Sequence, residues 1–397
     1  MATKLNTWTL GGLMVGPILG SGILLLPPLV YGRLGSQAVW AWLVVLGLGA
    51  AFAAVFIRMA LRTRSAAGIS ELVAREWGEV WGKLAANYLT GAVIFGAIPV
   101  CLTAARLWPG SLSAGIPVNG LAALLLLVIL VLLLLGLTTV SRVSLVLSTL
   151  TAACLVVGGA LGLWGAKTVA WPAPRWDDPA LGPTLLLGFW AIVGWEVVGN
   201  YTNEVRNPDK TIPRAGLISL AAVTTVYLVT VLALQTLPPG PPGSGSMAAV
   251  LAPLFGPAAG VVIGVLAGGL CLMTALMFMG AVAGMTAQRL GLKSSRPMVL
   301  VLGATSLLIL GAIQSGWIEI EGLVSVANLF FLGNALLGLA AAWKILSGPA
   351  WRCTTVVLAL VLVALVTQGR PLGWVLGATV TGGTLAYAFF KARAAGS

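Results

Sequence analysis

Two stretches of this chain combine an apolar composition with residues that interrupt helices: VGPILGSGILLLPPL at 15–29 and LLLGFWAIVGWEVVGNY at 185–201. The first carries Gly16, Pro17, Gly20, Ser21 and Gly22; the second carries Gly188, Gly194, Gly199 and the acid Glu196. Their chemistry is that of the backbone. A helix broken in hydrocarbon frees N–H and C=O groups that cost several kcal/mol each unless protein, water or a ligand pairs with them. Amides at the start of a half-helix suit an anionic group, and carbonyls at the end of one suit a cation or an amine. Two breaks can therefore hold a zwitterion without any charged side chain. Close helix packing is the competing use of such glycines, since Gly16 and Gly20 form a GxxxG pair. The second break, five spans after the first, favours a binding site.

Glu196 is the second chemical feature. The chain has ten Asp and Glu, and nine fall in loops or at span ends. An ionisable group inside a span is costly and faces a cavity or a partner. Glu196 is therefore either an acid hydrogen-bonded to a neighbouring helix or a group whose charge changes with access. Other chemistries find little support. There is no histidine, hence none of the usual zinc ligands. Cys101, Cys154, Cys271 and Cys353 each sit in an apolar run without metal-type spacing, and read as small core residues rather than a disulfide framework. The spans offer no paired carboxylates and no nucleophile with a base, which argues against an enzyme, and no cofactor or metal is expected.

The elements that position these residues follow from composition. With 59% apolar and 8% charged residues, against about 25% charged in a soluble domain, the chain reads as an all-α integral membrane protein. Residues 1–10 read as a short retained tail rather than a signal peptide. At about 20 apolar residues per span, about twelve transmembrane helices are predicted, centred near 20, 47, 95, 127, 154, 192, 225, 270, 305, 332, 360 and 380. The longest polar connections are 60–80, 167–182 and 236–253, the last opening with TLPPGPPGSGSM. With the amino terminus in the cytoplasm, all but Arg33, Arg106, Lys167, Arg175 and Arg370 of the 22 Lys and Arg fall on the inner side. The positive-inside rule thus predicts a multi-pass protein of the cytoplasmic membrane with both termini cytoplasmic. Topology accounts for the net charge of +12, and no nucleic-acid partner is expected.

These residues also carry a resemblance. GSGILLLP (20–27), FWAIVGWE (189–196) and NEVRNPDKTIPRA (203–215) resemble the first span, the sixth span and the following loop of the amino acid–polyamine–organocation transporter superfamily. The short length, the FWAIVG run and VANLFFLGNALLGLAAAWKIL (326–346) look most like its bacterial amino-acid efflux branch, which includes exporters of methionine and branched-chain amino acids. The resemblance implies a leucine-transporter-like fold, an inverted five-plus-five helix repeat with helices 1 and 6 broken. Residues 1–166 would form the first repeat, 167–346 the second, and 347–397 two extra C-terminal helices. In the loop after the sixth span a later proline, Pro213, would start the seventh helix.

The resemblance further implies that the amides of Ser21, Gly22 and Ile23 hold the substrate carboxylate. Carbonyls of Ile18, Trp190 and Val193 would receive its amine, and Gly20, Gly22 and Gly194 would make the breaks. Trp190 matches an aromatic that closes over the amino acid, and Glu196 an acid near the inner gate. Selectivity is expected from the third span (AVIFGAIPVCL, 92–102), the eighth (GGLCLMTALMFMG, 268–280) and the tenth. The two quoted segments are rich in adaptable apolar residues and hold no acid, which points to a neutral hydrophobic amino acid such as methionine, leucine, isoleucine or valine. The fifth span has no lysine, so lysine-based proton coupling is in doubt. Glu196 leaves proton antiport open, exchange would need no ion, and Thr274 is a single weak candidate for a sodium ligand. Efflux by alternating access is the leading reading. A same-fold transporter of cationic amino acids or polyamines, and a channel or membrane sensor, are the alternatives.

Overall fold

The structure, a computed structural model, describes residues 5–64, 68–109, 115–136, 141–166, 171–196, 202, 205, 207–236 and 247–395. Gly199, residues 203, 204 and 206 of the loop after the sixth span, and the Pro/Gly run 237–246 lie outside the described residues. Among those described, no strand forms, and Leu5 and Val205 make an isolated parallel bridge. Nine stretches among them are helical, long and apolar enough to cross a membrane, with shorter apolar helices at Val118–Leu134 and Leu181–Ile192. The chain is a multi-pass membrane protein.

The first apolar region is two helices, α1 (Thr7–Leu19) and α2 (Gly22–Leu34), followed by α3 (Ala38–Thr63). Then come α4 (Ile69–Trp77), α5 (Glu79–Leu107), α6 (Val118–Leu134) and α7 (Ser141–Gly165). The second interrupted region opens with α8 (Leu181–Gly188), tightened into a 3-10 turn over Phe189–Ile192. After it stand α9 (Pro208–Gln235), α10 (Met247–Phe255), α11 (Ala259–Arg289), α12 (Arg296–Gln314), α13 (Ile320–Ile345), α14 (Pro349–Val366) and α15 (Pro371–Ala395).

Packing separates inner helices from outer ones. In α13 and α5, 78% and 72% of the apolar window is buried, against 22% in α14 and 11% in α15. Of the broken helices, α1 and α2 pack chiefly on α9, α1 also on α7, and α8 rests on α3 and α13. One end is tied by Arg33 of α2 to Glu321 and by Arg370 to Glu319 at 3.5 Å, two acids at the start of α13. At the other end Arg64 pairs with Asp209 at 3.0 Å, and the Trp77 indole donates to the Ala340 carbonyl at 3.0 Å.

Three local expectations change. The amino-terminal tail is shorter than ten residues, because Asn6 accepts the Thr9 amide at 2.9 Å and caps a helix that starts at Thr7. The 60–80 and 236–253 connections contain α4 and α10, short helices below the length of a span. The helix after the second break starts at Pro208, not Pro213. Asn207 precedes it, and Pro208 occupies the first turn, where the missing N–H costs nothing; Pro213 lies inside α9.

Candidate functional site

At the first break α1 stops at Leu19 and α2 starts at Gly22. Gly20 takes φ +39° and ψ −143°, a backbone conformation that favours glycine, while its amide still donates to the Gly16 carbonyl at 2.9 Å. The Ser21 carbonyl receives the Leu24 and Leu25 amides, each at 3.2 Å. Ser21, Gly22 and Ile23 stand at the start of one half-helix, where amides have no acceptor within their own helix, and Ile18 and Leu19 at the end of the other, where carbonyls have no donor within theirs. Helix-start donors thus stand beside helix-end acceptors.

The second break is held differently. After the 3-10 turn, Val193 is extended and Gly194 takes φ +118°. The Val193 amide donates to the Trp190 carbonyl at 3.3 Å, and the Gly194 amide to Glu196 Oε2 at 2.8 Å. Glu196 thereby caps the backbone of its own break. From α13, the fully buried Asn328 donates to the carbonyls of Leu186 and Leu187 at 2.7 and 3.1 Å. The two breaks press together: a Cβ on Gly194 would stand 3.2 Å from both the nitrogen and the Cα of Ile18.

Between the breaks lies a cavity of ≈ 30 Å³, room for a water or two. Ile18, Gly20, Ser21 and Gly22 line it from the first break, Trp190 and Val193 from the second. Ala92, Val93 and Gly96 of α5, Thr274, Phe278 and Met279 of α11 and Phe331 of α13 complete most of the wall. No charged side chain lines it among the described residues. Trp190 meets Phe331 edge to face at 6.0 Å, and Phe278 meets Phe331 likewise at 6.1 Å. One aromatic from each of three helical regions therefore closes on the same space.

Three buried polar groups at or behind the first break have no partner among the described residues. Ser21 Oγ, the Tyr227 hydroxyl and the Trp42 indole N–H are buried without a hydrogen-bond partner. Tyr227 of α9 stacks on Trp42 of α3 at 4.5 Å, and its hydroxyl would stand 3.1 Å from a Cβ on Gly22. A buried unpaired hydroxyl costs about 1–3 kcal/mol, so such groups call for an explanation. Here they flank the helix-start amides of the first break. Thr274, on the cavity wall, donates from Oγ1 to the Leu270 carbonyl of its own helix at 2.9 Å.

Of the residues singled out from sequence, Ile18, Gly20, Ser21, Gly22, Trp190, Val193 and Thr274 come together on the cavity. Ile23 is fully buried beside it, Gly194 lies behind Ile18, and Glu196 turns to the Gly194 amide. Gly22 is the first residue of α2, so the interruption itself falls at Gly20 and Ser21. The third, eighth and tenth spans, as α5, α11 and α13, do line the cavity. Sequence reasoning missed Asn328 and Tyr227. The one signal for Asn328 was an amide side chain within an otherwise apolar run, and that for Tyr227 a lone phenol in α9.

Fold and cavity together define a helical membrane protein with two interrupted helices meeting at an internal, uncharged space. The chain belongs to the amino acid permease family, whose model matches residues 5–290. The resemblance to the amino acid–polyamine–organocation superfamily is thereby shown. Over 391 residues it is 27% identical to the L-methionine/branched-chain amino acid exporter YjeH of Escherichia coli (strain K12), covering 91% of this chain and 90% of that protein. It is 27% identical over 286 residues to the cadaverine/lysine antiporter of the same strain, covering 66% of this chain and 60% of the relative. With the serine/threonine exchanger SteT of Bacillus subtilis (strain 168) it shares 26% over 235 residues, 54% of this chain and 51% of that one. These relatives are transporters rather than enzymes.

Proposed function

We propose that this chain is a secondary active transporter that exports neutral hydrophobic amino acids across the cytoplasmic membrane by alternating access, through proton antiport or exchange. Methionine, leucine, isoleucine and valine are the substrates of choice. One observation carries the reading: two broken helices meet over an uncharged cavity, with the amides of a helix start and the carbonyls of a helix end on its wall. The amides of Ser21, Gly22 and Ile23 hold the carboxylate. The carbonyls of Ile18 and Val193 take the amine, with the second lone pair of the Trp190 carbonyl. The Trp190 ring closes over the substrate, and Glu196 serves gating and any proton coupling.

In this reading α1 with α2, and α8 with its continuation, are the first and sixth of twelve spans. The repeats are 1–166 and 167–346 in inverted orientation, 347–397 supplies the last two spans, and both termini are cytoplasmic. A space of ≈ 30 Å³ is too small for a methionine side chain, so Trp190, Phe278 and Phe331 must part when substrate enters. Two relatives are a cadaverine/lysine antiporter and a putrescine transporter, which keeps cationic substrates as the second reading. Against it, the one nearby carboxylate is committed to the Gly194 amide.

The test is thermal stabilisation of the purified protein by the twenty amino acids, cadaverine and putrescine, repeated with Gly22→Trp. A ligand that binds only the folded state adds about 2.7 kcal/mol at about a hundred times its dissociation constant. Shifts confined to methionine and branched-chain amino acids, lost in the variant, are expected. Shifts with cadaverine or lysine instead would move the assignment to cationic substrates.

A further inference from the structure

The last helix lies at the edge of the bundle, packed on α5 and α13 and exposed elsewhere. Two grooves flank it, of ≈ 620 Å³ between α15 and α5 and of ≈ 550 Å³ on its other side against α13 and the end of α14. Both have apolar walls, and they differ in charge. The second is lined by no charged residue, whereas the first opens onto Lys83 and Arg289. Both residues belong to the basic set that the positive-inside rule sends to one face of the membrane.

The basic end of the first groove is ordered. Asn87 donates to Thr384 Oγ1 at 2.9 Å, which ties α5 to α15. Arg289 donates to Asn87 Oδ1 at 3.4 Å and to the Lys83 carbonyl at 3.5 Å. Neither cation has a carboxylate within ion-pair distance among the described residues, and Glu79 acts on Arg289 only through space. Below this shelf the floor is Phe95 stacked on Phe330 at 5.7 Å. Gly383 opens the α15 side, where a Cβ would meet nothing within 4 Å.

We propose that this groove binds one anionic phospholipid, its phosphate between Lys83 and Arg289 and an acyl chain over Phe95 and Phe330. The argument is charge complementarity. An apolar trough at membrane depth accepts any acyl chain, but two cations at its polar end, neither ion-paired and facing Glu79 alone at longer range, select a headgroup of net negative charge. A zwitterionic headgroup brings its own ammonium and offsets that attraction. The uncharged groove on the other side of α15 supplies an internal control for acyl-chain binding alone.

The experiment is native mass spectrometry of the full chain released from detergent, titrated with dioleoylphosphatidylglycerol or dioleoylphosphatidylcholine. The expected result is one phosphatidylglycerol retained in preference to phosphatidylcholine. Each cation near the surface contributes about fivefold, so Lys83→Gln lowers the preference about fivefold and Lys83→Gln with Arg289→Gln about thirtyfold. The Lys83 ammonium makes no hydrogen bond or ion pair among the described residues, so the single variant remains informative if the double one misfolds. Gly383→Leu places a side chain in the open part of the groove and should weaken retention while the protein stays monomeric. Equal retention of the two lipids by the wild type, or a preference unchanged in Lys83→Gln, overturns the proposal. So does a lipid-free dimer that Gly383→Leu dissociates, which would make the groove an interface between copies of this chain.

Discussion

The substitution Gly96→Ala separates a closing aromatic from a merely packed one. Gly96 lines the cavity from α5, and a Cβ there would stand 3.0 Å from the far edge of the Trp190 ring and 3.8 Å from Ala327. Contact at 3.0 Å forces the indole to give by a few tenths of an ångström. The cavity holds only ≈ 30 Å³, so the methyl group and the displaced ring take up much of it. Overpacking of this kind costs about 1–3 kcal/mol, which corresponds to roughly a 5- to 150-fold loss of affinity. The clash is present without ligand as well, but the helix gains up to about 1 kcal/mol when Ala replaces Gly, so ligand-free stability should fall by no more than about 2 kcal/mol, and binding, which needs the ring to move over the substrate, should lose more. Gly284→Ala, in α11 with nothing within 4 Å of its Cβ, measures that gain alone. The assay is isothermal titration with methionine and leucine beside thermal unfolding without ligand. Unchanged affinity in Gly96→Ala would refute the role of Trp190 over the substrate. Equal losses in binding and in ligand-free stability would show that the contact serves packing only.

Three further predictions follow the same geometry. Tyr227→Phe removes the buried, unpaired hydroxyl facing Gly22; stability in detergent should hold or rise by up to about 1 kcal/mol, while substrate affinity falls roughly tenfold if that hydroxyl is a substrate contact. An unaltered dissociation constant would remove it from the site. Asn328→Leu strips the amide that caps Leu186 and Leu187 and should cost about 1–3 kcal/mol in thermal unfolding, because two buried carbonyls keep only a share of the Phe189 amide; a loss below about 0.5 kcal/mol would mean that share suffices. Glu196→Gln keeps an oxygen for the Gly194 amide and so preserves the break, yet removes the titrating group. Transport in proteoliposomes should lose its pH dependence while binding persists, and a wild-type pH profile in the variant excludes Glu196 from coupling.

What the sequence displayed and what it hid differ by physical kind. Both breaks were visible because Gly20 and Gly194 need backbone conformations that favour glycine and interrupt otherwise apolar runs. The inner spans were visible because an apolar run long enough to cross a bilayer has few alternatives. Register about a helix axis was not visible in α5, α11 and α13. An apolar residue facing lipid and one facing the cavity look alike, so Gly96, Phe278 and Phe331 emerge only with the packing. Asn328 and Tyr227 were hidden for a related reason. Their partners, the Leu186 and Leu187 carbonyls and the neighbourhood of Gly22, are more than a hundred residues away in the chain. The role of Glu196 changed in emphasis: as an acid in a span it suggested a long-range partner, and it meets the backbone two residues away. Pro208 and Pro213 show the same limit, since either proline suits a helix start and only the turn at Asn207 selects the first.

A site made of backbone explains why so much of its cost falls on small residues. Gly194 can lie against Ile18 only without a side chain, and Gly22 leaves the Tyr227 hydroxyl within reach of the helix-start amides. The protein then satisfies selectively. Glu196 takes the Gly194 amide, and Asn328 takes the Leu186 and Leu187 carbonyls, so the second break is largely paired internally. Among the described residues the first break has no such side-chain cap on its backbone: Ser21, Gly22 and Ile23 start one half-helix and offer donors, while Ile18 and Leu19 end the other and offer acceptors. Each buried group left unpaired costs about 1–3 kcal/mol, and a space for a water or two relieves only part of that. A ligand with a carboxylate and an ammonium on one carbon relieves both ends at once. A diamine relieves the acceptors and leaves the donors unpaired, and also brings a second charge into an apolar cavity with no carboxylate on its wall. On this balance the wild-type site should reject putrescine more strongly than it rejects an unfavourable side chain on an amino acid. Competition against bound methionine measures this directly, and putrescine displacing methionine better than alanine does would reverse the argument.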